Sequence, residues 1–399
     1  MKYWWVVFLL LIYTNFFGAT NINNTILLGS LLPFVWLTRD QNAYFRPFIV
    51  LVFACLFLSF ISCNYYRGQS IFLTFRSSAQ YFYLLFYFLL IYFKPTLKTM
   101  NHAILWLTVI FCFCYLLQYI IYPTVLFRGA QEDFSHDVRI RLAGQGIVSL
   151  GFFLSLNRLL VTDRLKLKYL AIMSACVGVM ILMGFRTVLL ALLIISFVMV
   201  ITIKGFNFRL TLYLLGFLII GGFFSQMPFV QDKIQAMQER QETDNMSNDN
   251  YIRVLQLEYY LNEHFKDSKE FVFGSGIPAL NDNGNYSKYM NILLDSGLTW
   301  VDFGLFSISW LIGIPTVLMM IWYSIMCVSK RVSVNNRFLG FWFLFLLLIS
   351  FTTAEFFRSG NFVIQSVVFY YIELANKSYL FSMYEKRSKG RYTYIPSGT

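Results

Sequence analysis

Charge is scarce in this chain: Asp, Glu, Lys and Arg make up 13% of its 399 residues, while 58% are hydrophobic. A soluble domain of this length carries about a quarter of its residues charged, so the shortage excludes that class and points to the bilayer. Histidine is also rare. His102, His136 and His264 are too far apart in sequence to suggest a metal centre, and neither a metal nor a cofactor is expected. The cysteines Cys55, Cys63, Cys112, Cys114, Cys176 and Cys327 all fall in apolar segments or at their ends, so no disulfide framework is visible. Cys112 and Cys114 are two apart, on different sides of a helix, which excludes a shared metal. No internal repeat is seen, which weighs against inverted-repeat transporter folds. No lysine follows the glycines of FGSGIP at 273–278, so this is not a phosphate-binding Walker loop. The net charge of +12 is scattered over loops and tail with no basic stripe, which argues against nucleic acid as a partner.

What the chain does have is apolar runs from end to end. About twelve spans are expected, near residues 4–19, 25–37, 47–63, 79–93, 102–122, 142–158, 169–184, 187–203, 210–225, 303–323, 338–354 and 361–375. The first follows Lys2, lacks a clean small-x-small cleavage site, and is read as a span and not as a cleaved leader. The fold class is therefore all-α and polytopic. The division is a bundle over 1–225, an outer loop over 226–299, further spans over 300–375 and a basic tail over 376–399. With both termini inside, the cytoplasmic segments hold 19 Lys and Arg against seven in the short outer loops, the sense of the positive-inside rule. Within the long loop, 230–243 reads as an amphipathic surface helix. MSNDN at 246–250 reads as a linker, 251–265 as a helix, NDNGNYS at 281–287 as a turn and 289–298 as a short helix. Aromatics reach 20%, with 44 Phe and 26 Tyr; membrane interfaces and lipid-facing surface account for most of them in this reading, and sugar-stacking platforms for the rest.

The run from Tyr169 to Ile203 holds one charge, Arg186. One straight helix of that length would measure about 50 Å against roughly 30 Å of hydrocarbon. It is expected to break at Gly184-Phe185-Arg186, leaving Arg186 at the outer end of a hairpin, where a charge is costly and a functional candidate. The seven basic residues of the short outer loops, Arg67, Arg76, Arg128, Arg139, Arg141, Arg186 and Arg358, include no lysine. Topology alone has no need of that choice, whereas a planar guanidinium fork suits phosphate. Snorkelling side chains are the plainer explanation.

Other motifs lie nearby. RIRLAGQG at 139–146 sets Arg139 and Arg141 at a helix start, where an oxyanion can sit. YIRVLQLEYY at 251–260 carries Arg253 and Glu258. Asp302 and Gly304 open the run that ends in Gly313-Ile314-Pro315. TAEFFRSGN at 353–361 puts Glu355 and Arg358 three apart, either paired with each other or with Arg358 joining the arginines.

With about a dozen spans and one large outer loop in its second half, the chain resembles the bacterial O-antigen polymerase and O-antigen ligase superfamily of polytopic glycosyltransferases. The motif-level likeness lies in RLAG at 141–144, FRT at 185–187, the Arg253 helix, FGSG at 273–276, YSKYMNILLDSGL at 286–298 and DFGLF…GIP at 302–315. The resemblance implies an inner-membrane enzyme of surface-polysaccharide and lipopolysaccharide biosynthesis. A glycan on undecaprenyl diphosphate, at the periplasmic face, is attacked by a sugar hydroxyl of a second lipid-linked unit, and the diphosphate departs without metal or cofactor. Arg141, Arg186 and Arg253 are the implied contacts to diphosphate or glycan, with Arg139 and Arg358 next; Asp302, Glu258 and His264 remain as alternatives for a base. A chain-length regulator is the protein partner this family raises. No histidine lies beyond Phe265, where ligases of the superfamily carry one, which favours a polymerase. The ten-residue arginine-glycine spacing of one polymerase pattern is absent from the outer loops. A ligase acting on lipid A-core, and a lipid-linked oligosaccharide flippase, are the two rival readings.

Overall fold

The computed structural model describes residues 3–14, 24–122, 124–127, 131–132, 140–162, 166–184, 186–205, 252–300 and 303–392. The expected span at 210–225, the surface helix at 230–243, the linker at 246–250, Arg139 and Asp302 lie outside the described residues. The helices run in the order α1 (Trp4–Tyr13), α2 (Asn24–Leu37), α3 (Arg46–Arg67), α4 (Ile71–Ser77), α5 (Phe86–Phe93), α6 (Leu97–Ile121), α7 (Gly146–Val161), α8 (Leu167–Leu182) and α9 (Arg186–Lys204). Further along the chain come α10 (Ile252–Asn262), α11 (Ser268–Phe273), α12 (Asn285–Asp295), α13 (Gly304–Ile312), α14 (Ile314–Ser329), α15 (Phe338–Ile349) and α16 (Asn361–Tyr392). Besides these, the described residues hold short 3-10 turns and one two-residue antiparallel ladder, β1 (Gln131–Glu132) with β2 (Ile140–Arg141).

Among the described residues, α3, α6 and Thr187–Lys204 are long and apolar enough to cross a membrane. The 22 residues of α3 and 25 of α6 rise about 33 and about 37 Å. Shorter apolar helices pack around them. α7 is the hub: 12 of its 16 residues are buried, against α6, α8, α9 and α15. Such burial needs its few polar groups satisfied from neighbours, and Trp342 Nε1 donates to Ser149 Oγ at 2.9 Å. By contrast α9 keeps Leu190, Leu193, Ile194, Phe197 and Val198 exposed, the face a lipid-lined helix presents. Helices from both sides of the long loop interleave, α3 with α14, α9 with α15 and α5 with α16, so the described parts of 1–225 and 300–375 form one bundle.

The aromatics are placed differently from the expectation. Many of them build the core: Trp310, Trp342, Tyr81, Tyr87, Tyr115, Tyr260, Tyr323 and Tyr371 are among the largest fully buried side chains. Phe369 stacks between Phe45, at 4.6 Å, and Phe343, at 5.6 Å. Flat rings fill a crowded interhelical space with few rotatable bonds, and stacked pairs gain beyond area burial.

The two ends of the bundle differ in charge. At one end Lys330 lies over the Tyr44 ring, Asn376 donates to Arg331 O and Lys377 to Asn42 O. Arg46 donates to the carbonyls of Thr38 and Arg39. Arg158 donates to Asn101, Asn157 to Asn335 O and Arg337 to Thr202 O, which brings these basic residues to the same end. Since α3 starts at this basic end, Arg67 finishes at the far end; since α9 finishes here, Arg186 starts at the far end too. The break between α8 and α9 falls after Met183, where it was expected.

Three expectations need correction. The run at 303–323 is two helices, α13 and α14, because the backbone at Phe273 wedges in beside Gly313. The run at 79–93 opens as a 3-10 helix, Ala79–Leu85, before α5. Finally, α16 continues unbroken past residue 375 to Tyr392, so the basic tail begins as an extension of the last helix.

Candidate functional site

The far end is organised around α13. Its last turn has carbonyls that the break leaves without intrahelical partners. The segment after α11 supplies them: Ser275 N donates to Trp310 O and Gly276 N to Leu311 O, both at 2.8 Å. The approach is backbone to backbone. A Cβ on Gly313 would stand 2.5 Å from Phe273 O, and one on Gly274 2.5 Å from Gly313 N; both glycines have φ near +85°, at 84° and 86°. Thus FGSG and the GIP end of the DFGLF run are one structural joint.

The other end of α13 meets a second joint. Leu305 N donates to Ser350 O at 2.7 Å, where the chain turns toward TAEFFRSGN. That segment locks onto RLAGQG. Gly144 N donates to Ser359 O at 2.9 Å, Gly146 N to Asn361 Oδ1 at 3.1 Å, and Gln145 Nε2 to Glu355 Oε1. Arg358 Nε lies 3.1 Å from the same Glu355 oxygen, so the local pairing is realised. Gln145 Oε1 is buried and has no hydrogen-bond partner. The two joints are separated by the nine residues of α13, about 12 Å.

A third cluster holds the helical cap formed by residues 252–300 to α3. Arg67 Nε pairs with Glu270 Oε1 at 2.5 Å, their side chains 8% and 0% exposed. Arg67 also donates to His264 O, and its guanidinium stands 5.5 and 5.7 Å from the Tyr286 and Tyr289 ring centroids. Two charges this deep need their remaining groups satisfied. The second Glu270 oxygen accepts from Lys266 N at 2.7 Å. Asp267 caps α11 by accepting from the amides of Lys269 and Glu270, both 2.9 Å away. The Glu270 amide first, and the Tyr66 hydroxyl next, hold the Asp267 carboxyl below the usual range. His264 Nε2 meets Ser275 Oγ at 3.1 Å, and Tyr286 donates to that same hydroxyl at 3.1 Å. Burial first and the Arg67 charge second pull the His264 pKa down to about 3, so the ring is neutral at pH 7 and a weak proton acceptor.

The anticipated residues therefore divide. Arg358 lies at the joint with RLAGQG, and the Arg141 backbone lies in β2, at the entry to that joint. Arg186 is the first residue of α9, at the same end. Arg253 is half-buried on α10, which is fixed by Gln256 Nε2 donating to Gly297 O at 2.8 Å and by Tyr260 stacked on Trp310 at 4.4 Å. Glu258 is exposed on the same helix, and His264 is buried in the third cluster. Sequence reasoning counted Arg67 but did not single it out, and missed Glu270, Gln145 and Asn361. Arg67 carried a signal, a charge at the end of an apolar run, but its partner lies 203 residues away. All six cysteines are free thiols. Among the described residues no group of His, Cys, Asp and Glu could hold a metal ion.

No family model matches this chain, and no curated protein matches it.

Proposed function

We propose that this chain is a multi-pass glycosyltransferase of the bacterial inner membrane, with both termini cytoplasmic. It polymerises oligosaccharide repeat units carried on undecaprenyl diphosphate at the outer face. The observation that carries the reading is the convergence of separated motifs on α13. The RLAG, FGSG, YSKYMNILLDSGL, DFGLF…GIP and TAEFFRSGN segments, and the helix bearing Arg253, meet at the end of the bundle away from its basic cluster. Backbone hydrogen bonds hold these motifs together, although they are dispersed along more than 200 residues. A shared substrate is a reason for them to meet there.

Chemically, a departing diphosphate gathers negative charge. Guanidinium groups held at a partly desolvated rim stabilise that charge more in the transition state than in the ground state. Arg141, Arg186 and Arg253 take this role in the proposal. Arg358 is tied to Glu355 and is a supporting residue in the proposal.

The Arg186→Ala variant tests it. In cells lacking the native copy, it is expected to give repeat-unit-capped lipid with no long polymer on a surface-glycan gel, at unchanged membrane level of the protein. Normal-length polymer from that variant would remove the assignment.

A further inference from the structure

Beside the third cluster lies a cleft of about 400 Å3, lined by Arg76, Ser77, Asn281 and Asp282 over a floor that includes Leu73 and Pro278. Its size falls within the roughly 300–1,000 Å3 of small-molecule sites. We propose that this cleft is a carbohydrate subsite, holding an uncharged sugar unit of the acceptor glycan.

The walls are built and do not merely happen to be near each other. Buried Gln69 ties them together: its Nε2 donates to Thr74 Oγ1 on α4 and to Ile277 O, and its Oε1 accepts from Ala279 N, all at 2.9 Å. Asn291 Nδ2 holds Leu280 O at 3.0 Å from the other side. Asp282 N closes the turn on Ala279 O at 2.8 Å. On this fixed frame the polar tips are left open. Ser77 Oγ donates to Leu73 O, and Asp282 Oδ2 accepts from Gly284 N at 3.2 Å, which leaves Asp282's other oxygen without a hydrogen bond among the described residues. Arg76 and Asn281 make no side-chain hydrogen bond or ion pair to the described residues.

The charge balance selects the ligand class. A phosphate would meet Asp282, and a cation would meet Arg76, so neither sign is favoured. A polyhydroxylated ring suits both groups, since vicinal hydroxyls can donate to a carboxylate and accept from a guanidinium, while its C–H face rests on Pro278 and Leu73. The position fits an acceptor: the cleft is two residues along from Gly276, at the joint with α13. The assignment of the sugar to the acceptor rests on the polymerase reading; the sugar site itself does not.

The experiment uses the full chain in nanodiscs on a printed array of bacterial oligosaccharides. Wild type is expected to retain a subset of glycans. Arg76→Ala with Asn281→Ala is expected to weaken that retention at least tenfold, and Asp282→Asn, which keeps the acceptor for Gly284, several-fold. Gly178→Ala, on α8 and not among the cleft residues, should retain them as wild type does. Retention of no glycan by wild type, or equal retention by the double variant, overturns the site. If the cleft binds glycans while Arg186→Ala cells still make long polymer, the polymerase reading fails and the sugar site stands.

Discussion

The most consequential side chain at the far end is Arg67, buried with Glu270 between α3 and the cap. Removing one partner of such a pair leaves an uncompensated charge in a dry place, a loss of about 3–5 kcal/mol. Glu270→Ala is therefore expected to lower the unfolding temperature of the solubilised protein sharply. Arg67→Met with Glu270→Leu, matched in volume, should recover most of it; failure to recover would show that the pair does more than hold the cap. His264 adds a pH dependence. Its ordinary value is about 6.5, and the fold pulls it down to about 3. Between those values the unfolded chain binds the extra proton, so stability is whole above about pH 6.5 and is lost as pH falls toward 3. Melting at pH 7.5 and pH 5 should differ more for wild type than for His264→Gln. None of this was legible in the sequence. The positions of Arg67 and His264 were plain, but burial and a partner across 200 residues are tertiary facts.

At the scale of elements, the sequence was informative wherever length and charge decide. The hairpin at Gly184 followed from a run too long for one crossing, and the α10 helix from its periodicity. The interruption at Gly313 was invisible, because a glycine inside an apolar run looks the same whether it packs closely or breaks the helix. What decides is the backbone of Phe273–Gly276 arriving from the loop. Gly313→Ala forces a Cβ against Phe273 O at a positive φ and is expected to cost about 1–3 kcal/mol. Gly178→Ala, inside α8 with open space around it, should melt no lower than wild type. If both variants melt alike, the joint is loose.

For the whole molecule, the gathering of Arg46, Arg158, Lys330, Arg331, Arg337 and Lys377 at one end sets an expected direction in the bilayer. Ser359→Cys, exposed at the far end, should react with a membrane-impermeant maleimide on intact spheroplasts. Ser329→Cys, exposed beside Lys330, should react only after permeabilisation. The reverse pattern would invert the molecule and put the proposed chemistry on the wrong side. The charge bias was readable in advance because it is additive along the chain. How the motifs interlock was not, since nothing in RLAGQG announces Asn361 as its partner. The amides of Ser275 and Gly276 have a last implication for engineering. Because they complete hydrogen bonding inside the bundle, this outer segment is no detachable module. A chimera that exchanged residues 252–300 alone would strand Trp310 O and Leu311 O in oily surroundings, so a workable graft must carry its own half-helix along.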